Sequence, residues 1–120
     1  MAKRILAVDD DQLMRSFFSR ILTEAGYQVE TAEDGRSAIG KIERVDFDLV
    51  LTDVKMPGMS GVELMKAARE LRPETRFVII TAYGSIGNAV EAMKAGASDY
   101  LTKPLKSPDE LRRVIGRVMN

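Results

Sequence analysis

Four apolar segments of this sequence each lead into polar side chains that could do chemistry. The residues at these ends are Asp9, Asp10, Asp11, Asp53, Thr81 and Lys103. Carboxylates held close together repel one another and raise each other's pKa unless a cation lies among them. Because the sequence contains no His and no Cys, a hard dication with oxygen ligands is the natural candidate. Mg²⁺ suits a site that supplies only two or three protein oxygens and leaves the rest to water and phosphate.

A carboxylate beside Mg²⁺ is also a competent nucleophile toward a phosphoryl group, and the product is an aspartyl phosphate. We expect Asp53 to attack while Asp9 and Asp10 hold the metal. Lys103 would pair with one phosphoryl oxygen, and the Thr81 hydroxyl would donate a hydrogen bond to another. These are the positioning and charge neutralisation that phosphoryl transfer needs. The pattern therefore predicts a site that accepts phosphate.

Each of these residues also has a simpler explanation when it is taken alone. At least one acid of the Asp9–Asp11 run is expected to cap the first helix. Asp53 could open the Pro-Gly turn that follows it. Thr81 could be an ordinary strand-end residue, and Lys103 a solvated cation or a counter-ion of the acids. The chemical interpretation is favoured because four separate segment ends carry complementary groups.

Alternating strands and helices would place these ends together. The strand-like segments are 5–8, 27–32, 49–51, 77–80 and 100–101. Amphipathic helices follow each of them, so we expect a five-stranded parallel sheet with five helices on its two faces, the doubly wound α/β class. In such a sheet, ligands bind beyond the carboxyl ends of the strands, where the strand order reverses.

Capping signals and apolar spacing define the helices more closely. Suitable N-terminal signals are Asp34, Ser60 with Glu63, Ser85, and Ser107 with Pro108, and suitable C-terminal glycines are Gly26 and Gly96. The third helix is expected to bury Leu64, Met65, Ala68 and Leu71. The fourth helix is expected to bury Ile86, Ala89, Val90 and Met93.

Length and composition limit the function further. The 120 residues fit one domain over positions 1–120, and 18 basic residues balance 18 acidic ones, so no overall charge favours binding to nucleic acid or membrane. No apolar run approaches the length of a membrane span, and no signal peptide is evident. The absence of Cys excludes disulfides and thiolate metal sites. We therefore expect a cytoplasmic single-domain protein that binds neither nucleic acid nor membrane directly.

Four motifs, at the expected segment ends and in the expected order, resemble the receiver domain of two-component response regulators. They are the segments 7–11, 52–61, 80–82 and 99–104. The resemblance implies a flavodoxin-like sheet with strand order 2-1-3-4-5. The sequences of segments 81–85 and 100–104 are most similar to those of receivers of enhancer-binding transcription activators. We expect no output domain in this chain, which would then be either a single-domain regulator or a fragment.

The resemblance also implies roles for individual residues. Asp53 would take the phosphoryl group from a phosphohistidine of a sensor histidine kinase or a phosphotransfer protein. Mg²⁺ would be bound directly by Asp10, Asp53 and the backbone carbonyl of Lys55, and by Asp9 through water. Such a domain is not a conventional enzyme, although it catalyses its own phosphoryl uptake and a slow autodephosphorylation.

Further implications concern the response to phosphorylation. Thr81 and Tyr100 match the switch pair of the family, in which the hydroxyl moves toward the phosphoryl group and the ring turns inward. The Lys103–Pro104 bond is expected to be cis. Lys55 and Tyr83 occupy the positions whose side chains tune the lifetime of the phosphate. The resemblance leaves open whether phosphorylation drives formation of a homodimer.

Three alternatives belong to other functional classes. An Asp-nucleophile phosphatase or ATPase is the nearest enzymatic one, but one such class needs a second Asp two residues after the first, where this sequence has Lys55. A flavin-binding module would need a phosphate-binding loop after the first strand, where the acids 9–11 would repel phosphate. A receiver-like module that docks partners without phosphorylation would not need the complete set of polar residues.

Overall fold

A computed structural model describes residues 2–82 and 86–120 of the chain. Five parallel strands form one sheet in the order β2-β1-β3-β4-β5, and five helices alternate with them. The strands are β1 (Arg4–Val8), β2 (Gln28–Ala32), β3 (Leu49–Asp53), β4 (Arg76–Ala82) and β5 (Asp99–Lys103). The helices are α1 (Gln12–Glu24), α2 (Gly35–Arg44), α3 (Gly61–Leu71), α4 (Ile86–Lys94) and α5 (Pro108–Met119). The predicted doubly wound sheet and its strand order are confirmed.

The central strands are apolar at successive positions because helices cover both faces of the sheet. Ile5 and Ala7 of β1 face one apolar cluster, which includes residues of α1 and α5. Leu6 and Val8 face the other cluster, which includes residues of α2 and α3. The edge strand β2 alternates between exposed and partly buried positions instead. This burial holds the carboxyl ends of β1, β3 and β4 in fixed register.

Side-chain caps start most of the helices where the sequence predicts them. Asp11 accepts a hydrogen bond from the backbone of Leu13 and caps α1, and Asp34 caps α2 in the same way. Ser60 and Glu63 form the predicted capping box of α3, and Ser107 with Pro108 begins α5. The predicted cap Ser85, and Tyr83 near it, lie outside the residues that the structure describes.

The carboxyl end of α4 is fixed by the neighbouring helix α3. Gly96 follows the helix with φ of 111°, a conformation that favours glycine. Arg69 of α3 donates hydrogen bonds to the carbonyl oxygens of Ala95 at 3.5 Å and Gly96 at 2.5 Å. A guanidinium at a helix C-terminus also interacts favourably with the helix dipole.

Two predictions about helix faces are wrong. Val90 and Met93 are 47% and 39% exposed, whereas Ala89 and Ala92 are buried. A stripe of alanines, three residues apart, is therefore the inner face of α4, and the larger side chains next to it are rotated toward solvent. Leu71 is also 46% exposed. It is the last residue of α3, where helical periodicity alone does not determine whether another element covers the apolar stripe.

Within the described part of the chain, no helix is both long enough and apolar enough to cross a membrane. The sequence predicts that the Ile86 side chain faces inward, but this side chain is outside the part of the chain that the structure describes.

Candidate functional site

The sheet register brings the predicted site residues to one edge. Val8 pairs with Thr52, so that Asp9 and Asp53 each lie one residue beyond this pair. Asp53 pairs with Ile80, and Lys103 pairs with Ala82 at the end of β5. The predicted meeting of strand ends is therefore confirmed for the acids and the lysine.

Lys103 connects two of the acids. Its Nζ donates hydrogen bonds to Oδ2 of Asp9 at 2.7 Å and to Oδ2 of Asp53 at 2.9 Å. The Asp9 side chain is completely buried, and the Asp53 and Lys103 side chains are mostly so. A buried carboxylate without a partner is costly, and the ammonium supplies the same partner to both. One cation thus joins β1, β3 and β5 at the site.

Burial and pairing act in opposite directions on these groups. Burial raises the pKa of Asp9, and the hydrogen bond from Lys103 counteracts this only in part. Burial alone would lower the pKa of Lys103, but its hydrogen bonds to Asp9 and Asp53 outweigh that effect and raise the pKa. Lys103 is therefore a permanent cation at neutral pH, and Asp9 is a carboxyl group that gains from a second cation nearby.

The donor set fits a divalent metal ion. Asp9, Asp10 and Asp53 each offer a carboxylate oxygen, and these oxygens lie within 4.8 Å of one another. When ionised, three carboxylates exceed the single ammonium by two negative charges, which one dication would balance. All the donors are oxygens, the ligands that Mg²⁺ prefers. Asp10 is exposed, so the cluster opens to solvent.

The loop after β1 divides its three acids between two tasks. Asp11 caps α1 through Oδ1, which accepts from the N–H of Leu13 at 2.9 Å. Its own N–H donates to Oδ1 of Asp9 at 2.9 Å. The expectation that one acid of the run is a helix cap is confirmed, and the other two acids belong to the carboxylate cluster.

The loop after β3 fixes Asp53 from the other side. The N–H of Lys55 donates to Oδ1 of Asp53 at 3.2 Å, and the Lys55 side chain is exposed. The N–H of Gly61 donates to the carbonyl of Val54 at 2.8 Å, which returns the chain directly into α3. Gly61 is needed at this position because a Cβ would collide with the carbonyl oxygen of Asp53. Both carboxylate oxygens of Asp53 therefore have a donor.

The predicted switch residues lie on neighbouring strands. Thr81 is buried in β4, one residue beyond the partner of Asp53, and it pairs with Thr102. Tyr100 lies on the edge strand β5, and 40% of it is exposed. The Lys103–Pro104 peptide bond is cis, as predicted.

Comparison with known proteins assigns this arrangement to a family. The sequence pattern of the family "Response regulator receiver domain" matches residues 5–116, nearly the whole chain. The chain belongs to this family. It is a receiver domain of the kind found in two-component response regulators, in agreement with the motifs at its strand ends.

Relatives of this receiver domain include transcriptional regulators and a chemotaxis protein. The transcriptional regulatory protein TcrA of Mycobacterium tuberculosis is 40% identical over 108 residues, which are 90% of this chain and 42% of TcrA. The chemotaxis protein CheY of Thermotoga maritima is 35% identical over 98% of both chains. A receiver domain from Methanospirillum hungatei, solved as a crystal structure, has a TM-score of 0.92 and 39% identity over 99% of this chain and 94% of its own. The predicted similarity to receivers of transcription regulators is confirmed, and the chain spans less than half the length of TcrA.

One contact in this receiver domain was not expected from the sequence. Nη1 of Arg15 donates to the carbonyl oxygen of Asp9 at 2.7 Å. A signal for it exists, because helical side chains tilt toward the N-terminus and Arg15 lies one turn after the cap Asp11. Every residue has a backbone carbonyl, so the residue types around Asp9 do not by themselves identify this acceptor.

Proposed function

We propose that this domain is a phosphorylation-dependent signalling switch that accepts a phosphoryl group on Asp53. The donor would be a phosphohistidine of a sensor histidine kinase or a phosphotransfer protein, and the change of conformation would control an output domain or partner. The observation that carries the proposal is the pair of hydrogen bonds from Lys103 to Asp9 and Asp53. The Lys103 ammonium therefore lies beside the Asp53 carboxylate, where the charge of a transferred phosphoryl group would need compensation.

In the proposed step, a carboxylate oxygen of Asp53 attacks phosphorus. The bond between phosphorus and the donor imidazole nitrogen breaks, and the electron pair leaves with the imidazole. Lys103 already contacts Oδ2 of Asp53, so its ammonium would lie close to the negative charge of the transferred phosphoryl group. The N–H of Lys55 holds Oδ1, so the carboxylate is oriented before the donor arrives.

The carboxylates of Asp9, Asp10 and Asp53 would hold Mg²⁺, together with the backbone carbonyl of Lys55. When bound, Mg²⁺ supplies positive charge that neutralises phosphoryl oxygens during transfer. The close oxygen atoms of the three acids and their excess of negative charge support this assignment.

Thr81 and Tyr100 would convert the new phosphoryl group into a change of shape. The hydroxyl of Thr81 would donate a hydrogen bond to a phosphoryl oxygen, and the ring of Tyr100 would turn inward into the vacated space. Thr81 is buried one residue beyond the strand partner of Asp53, which supports the movement of its hydroxyl toward the phosphoryl group. Tyr100 is partly exposed, which supports the inward turn of its ring.

Intact mass spectrometry tests the proposal directly. The protein is incubated with Mg²⁺ and a small acyl phosphate such as acetyl phosphate, and a mass increase of one phosphoryl group is expected. The adduct should be lost on treatment with hydroxylamine, which attacks acyl phosphates, and it should require Mg²⁺. Continuous release of phosphate with no adduct would instead favour the Asp-nucleophile phosphatase.

Two variants complete the test. Asp53→Asn removes the nucleophile and should abolish the adduct. Asp46→Asn is the matched control, because Asp46 is an exposed aspartate outside the carboxylate cluster, and it should behave as the wild type. An adduct that persists in Asp53→Asn, or forms equally without Mg²⁺, would overturn the proposal.

A further inference from the structure

The loop between β1 and α1 carries two of the three clustered carboxylates. Four hydrogen bonds, each to a different atom of Asp9, hold this loop in place. The N–H of Asp9 donates to the carbonyl of Ala32 at 3.1 Å, and the Asp9 side chain accepts from Asp11 and Lys103. The fourth is the hydrogen bond from Arg15 to the carbonyl oxygen of Asp9. This carbonyl belongs to the peptide unit that joins Asp9 to Asp10.

The direction of Asp10 depends on that peptide unit. Across residues 2–82 and 86–120, no hydrogen bond or ion pair holds the Asp10 side chain, which is exposed. A peptide unit is planar, so fixing its carbonyl oxygen also fixes the direction in which the next Cα leaves. The guanidinium of Arg15 therefore sets the starting point of the Asp10 side chain.

Helix α1 presents Arg15 at the right place for this contact. The N–H of Arg15 donates to the carbonyl of Asp11 at 3.0 Å, so Arg15 belongs to the first turn after the cap. From there its side chain extends back over the helix start, as helical side chains do. The rigid planar fork of arginine loses little freedom when it makes such a bond.

We propose that Arg15 is a positioning residue for the metal ion, acting through the backbone of Asp9 on the carboxylate of Asp10. The proposal rests on the proposed function, because it assumes that the carboxylate cluster binds Mg²⁺. Groups that orient the ligands of a metal typically change its affinity 10- to 100-fold when they are removed, and we expect about a ten-fold effect here.

The sign of the effect separates positioning from charge. Arg15→Met keeps most of the aliphatic side chain but removes the donors and the positive charge. If Arg15 acted only as a charge near the acids, its loss would strengthen Mg²⁺ binding, since a repelling cation is gone. If it positions the loop, its loss should weaken binding.

The test is a titration of Mg²⁺ into the protein, followed by isothermal titration calorimetry and by the amide NMR signals of Asp10 and Asp11. We expect Kd for Mg²⁺ to rise about ten-fold in Arg15→Met. Arg15→Lys, which keeps a donor and the charge, should recover part of the loss. Arg20→Met is the control, because Arg20 contacts the ring of Phe17 on the same helix and is not bonded to the loop.

Three outcomes decide the matter. Equal or tighter Mg²⁺ binding by Arg15→Met than by the wild type overturns the positioning role and leaves the proposed function intact. Equal weakening by Arg20→Met also overturns it, because the effect would then not depend on the hydrogen bond between Arg15 and the Asp9 carbonyl. A wild type that does not bind Mg²⁺ contradicts the metal site of the proposed function itself.

If Arg15→Met does not fold, as judged by circular dichroism, the comparison of Arg15→Lys with the wild type decides. An unchanged Kd for Mg²⁺ together with unchanged Asp10 amide exchange would overturn the positioning role of Arg15.

Discussion

Oδ2 of Asp9, a completely buried carboxylate, lies 2.7 Å from the ammonium of Lys103, although the two residues are 94 positions apart in the chain. The same ammonium also reaches Asp53. The acids therefore have a counter-ion within the protein, and a metal ion would share their oxygens with it.

Removing the counter-ion should affect metal binding and phosphoryl uptake in opposite directions. In Lys103→Met, we expect Mg²⁺ to bind several-fold more tightly, because the ammonium no longer competes for the carboxylate oxygens. We expect the rate of adduct formation with acetyl phosphate to fall at least ten-fold, because phosphoryl charge loses its partner. Calorimetry and intact mass spectrometry measure the two quantities. Lys106→Met, an exposed lysine just beyond Pro104, is the control, and weaker Mg²⁺ binding in Lys103→Met would contradict this account.

A methyl group at Gly61 should damage the site through the backbone. Gly61→Ala would bring a Cβ against the carbonyl oxygen of Asp53, and we expect a loss of about 1–3 kcal/mol in the free energy of unfolding. Gly116→Ala adds the same group to α5, where nothing lies within 4 Å, and should stabilise the protein by about 0.5–1 kcal/mol. Chemical denaturation measures both variants. Equal effects of the two substitutions would show that the close approach has no energetic consequence.

The capping box of α3 should make stability depend on pH. The backbone N–H of Ser60, which donates to Oε1 of Glu63 at 3.0 Å, is the main cause of a lowered pKa of Glu63. A lowered pKa in the folded state contributes stability above the unfolded pKa, near 4.3 for glutamate, which is lost as the pH falls through the folded value. The difference in unfolding free energy between the wild type and Glu63→Ala should thus be constant near neutral pH and shrink in acid. A difference that does not shrink in acid would contradict this account.

Phosphorylation should change the protection of α4 through Thr81. We expect the backbone amides of α4 to exchange hydrogen at different rates in the free and phosphorylated protein, because a segment next to the switch residue is the element most directly biased. Thr81→Ala should still take up the phosphoryl group but lose most of this difference. Hydrogen exchange with mass spectrometry measures it, with α2 as the internal reference. Equal protection of α4 in both forms of the wild type would count against the switch.

The features that the sequence predicts correctly are those for which local signals and sheet topology agree. Buried parallel strands have continuous apolar runs, and their carboxyl ends must share an edge, so the meeting of Asp9, Asp53 and Lys103 followed from the pattern. The caps followed for the same reason, since an N-cap is a local feature. The family resemblance supplied the strand order, which the pattern of apolar segments alone did not determine.

The features that the sequence does not determine depend on contacts with neighbouring helices and strands. Periodicity placed Val90 and Met93 inside, but α4 packs through the small side chains of Ala89 and Ala92. An apolar stripe wider than the contact leaves its larger members outside, and no local signal shows which part is covered. The position of Arg15, one turn after the cap Asp11, allows its side chain to reach back, but every residue has a backbone carbonyl, so the sequence does not specify the Asp9 carbonyl as the acceptor.

The hydrogen bonds from Arg69 to the carbonyl oxygens after α4 fix this end of the helix, so that the helix can pivot about it. One end is tied to α3 through the Ala95 and Gly96 oxygens, while the opposite end begins just after the strand that carries Thr81. Motion of α4 would then resemble a lever, small near Gly96 and amplified toward Gly87. Hydrogen exchange rates that change most in the first turn of α4 and least in its last turn would show that a small movement at Asp53 is amplified along the helix. A uniform change along α4 would instead indicate that the whole helix slides.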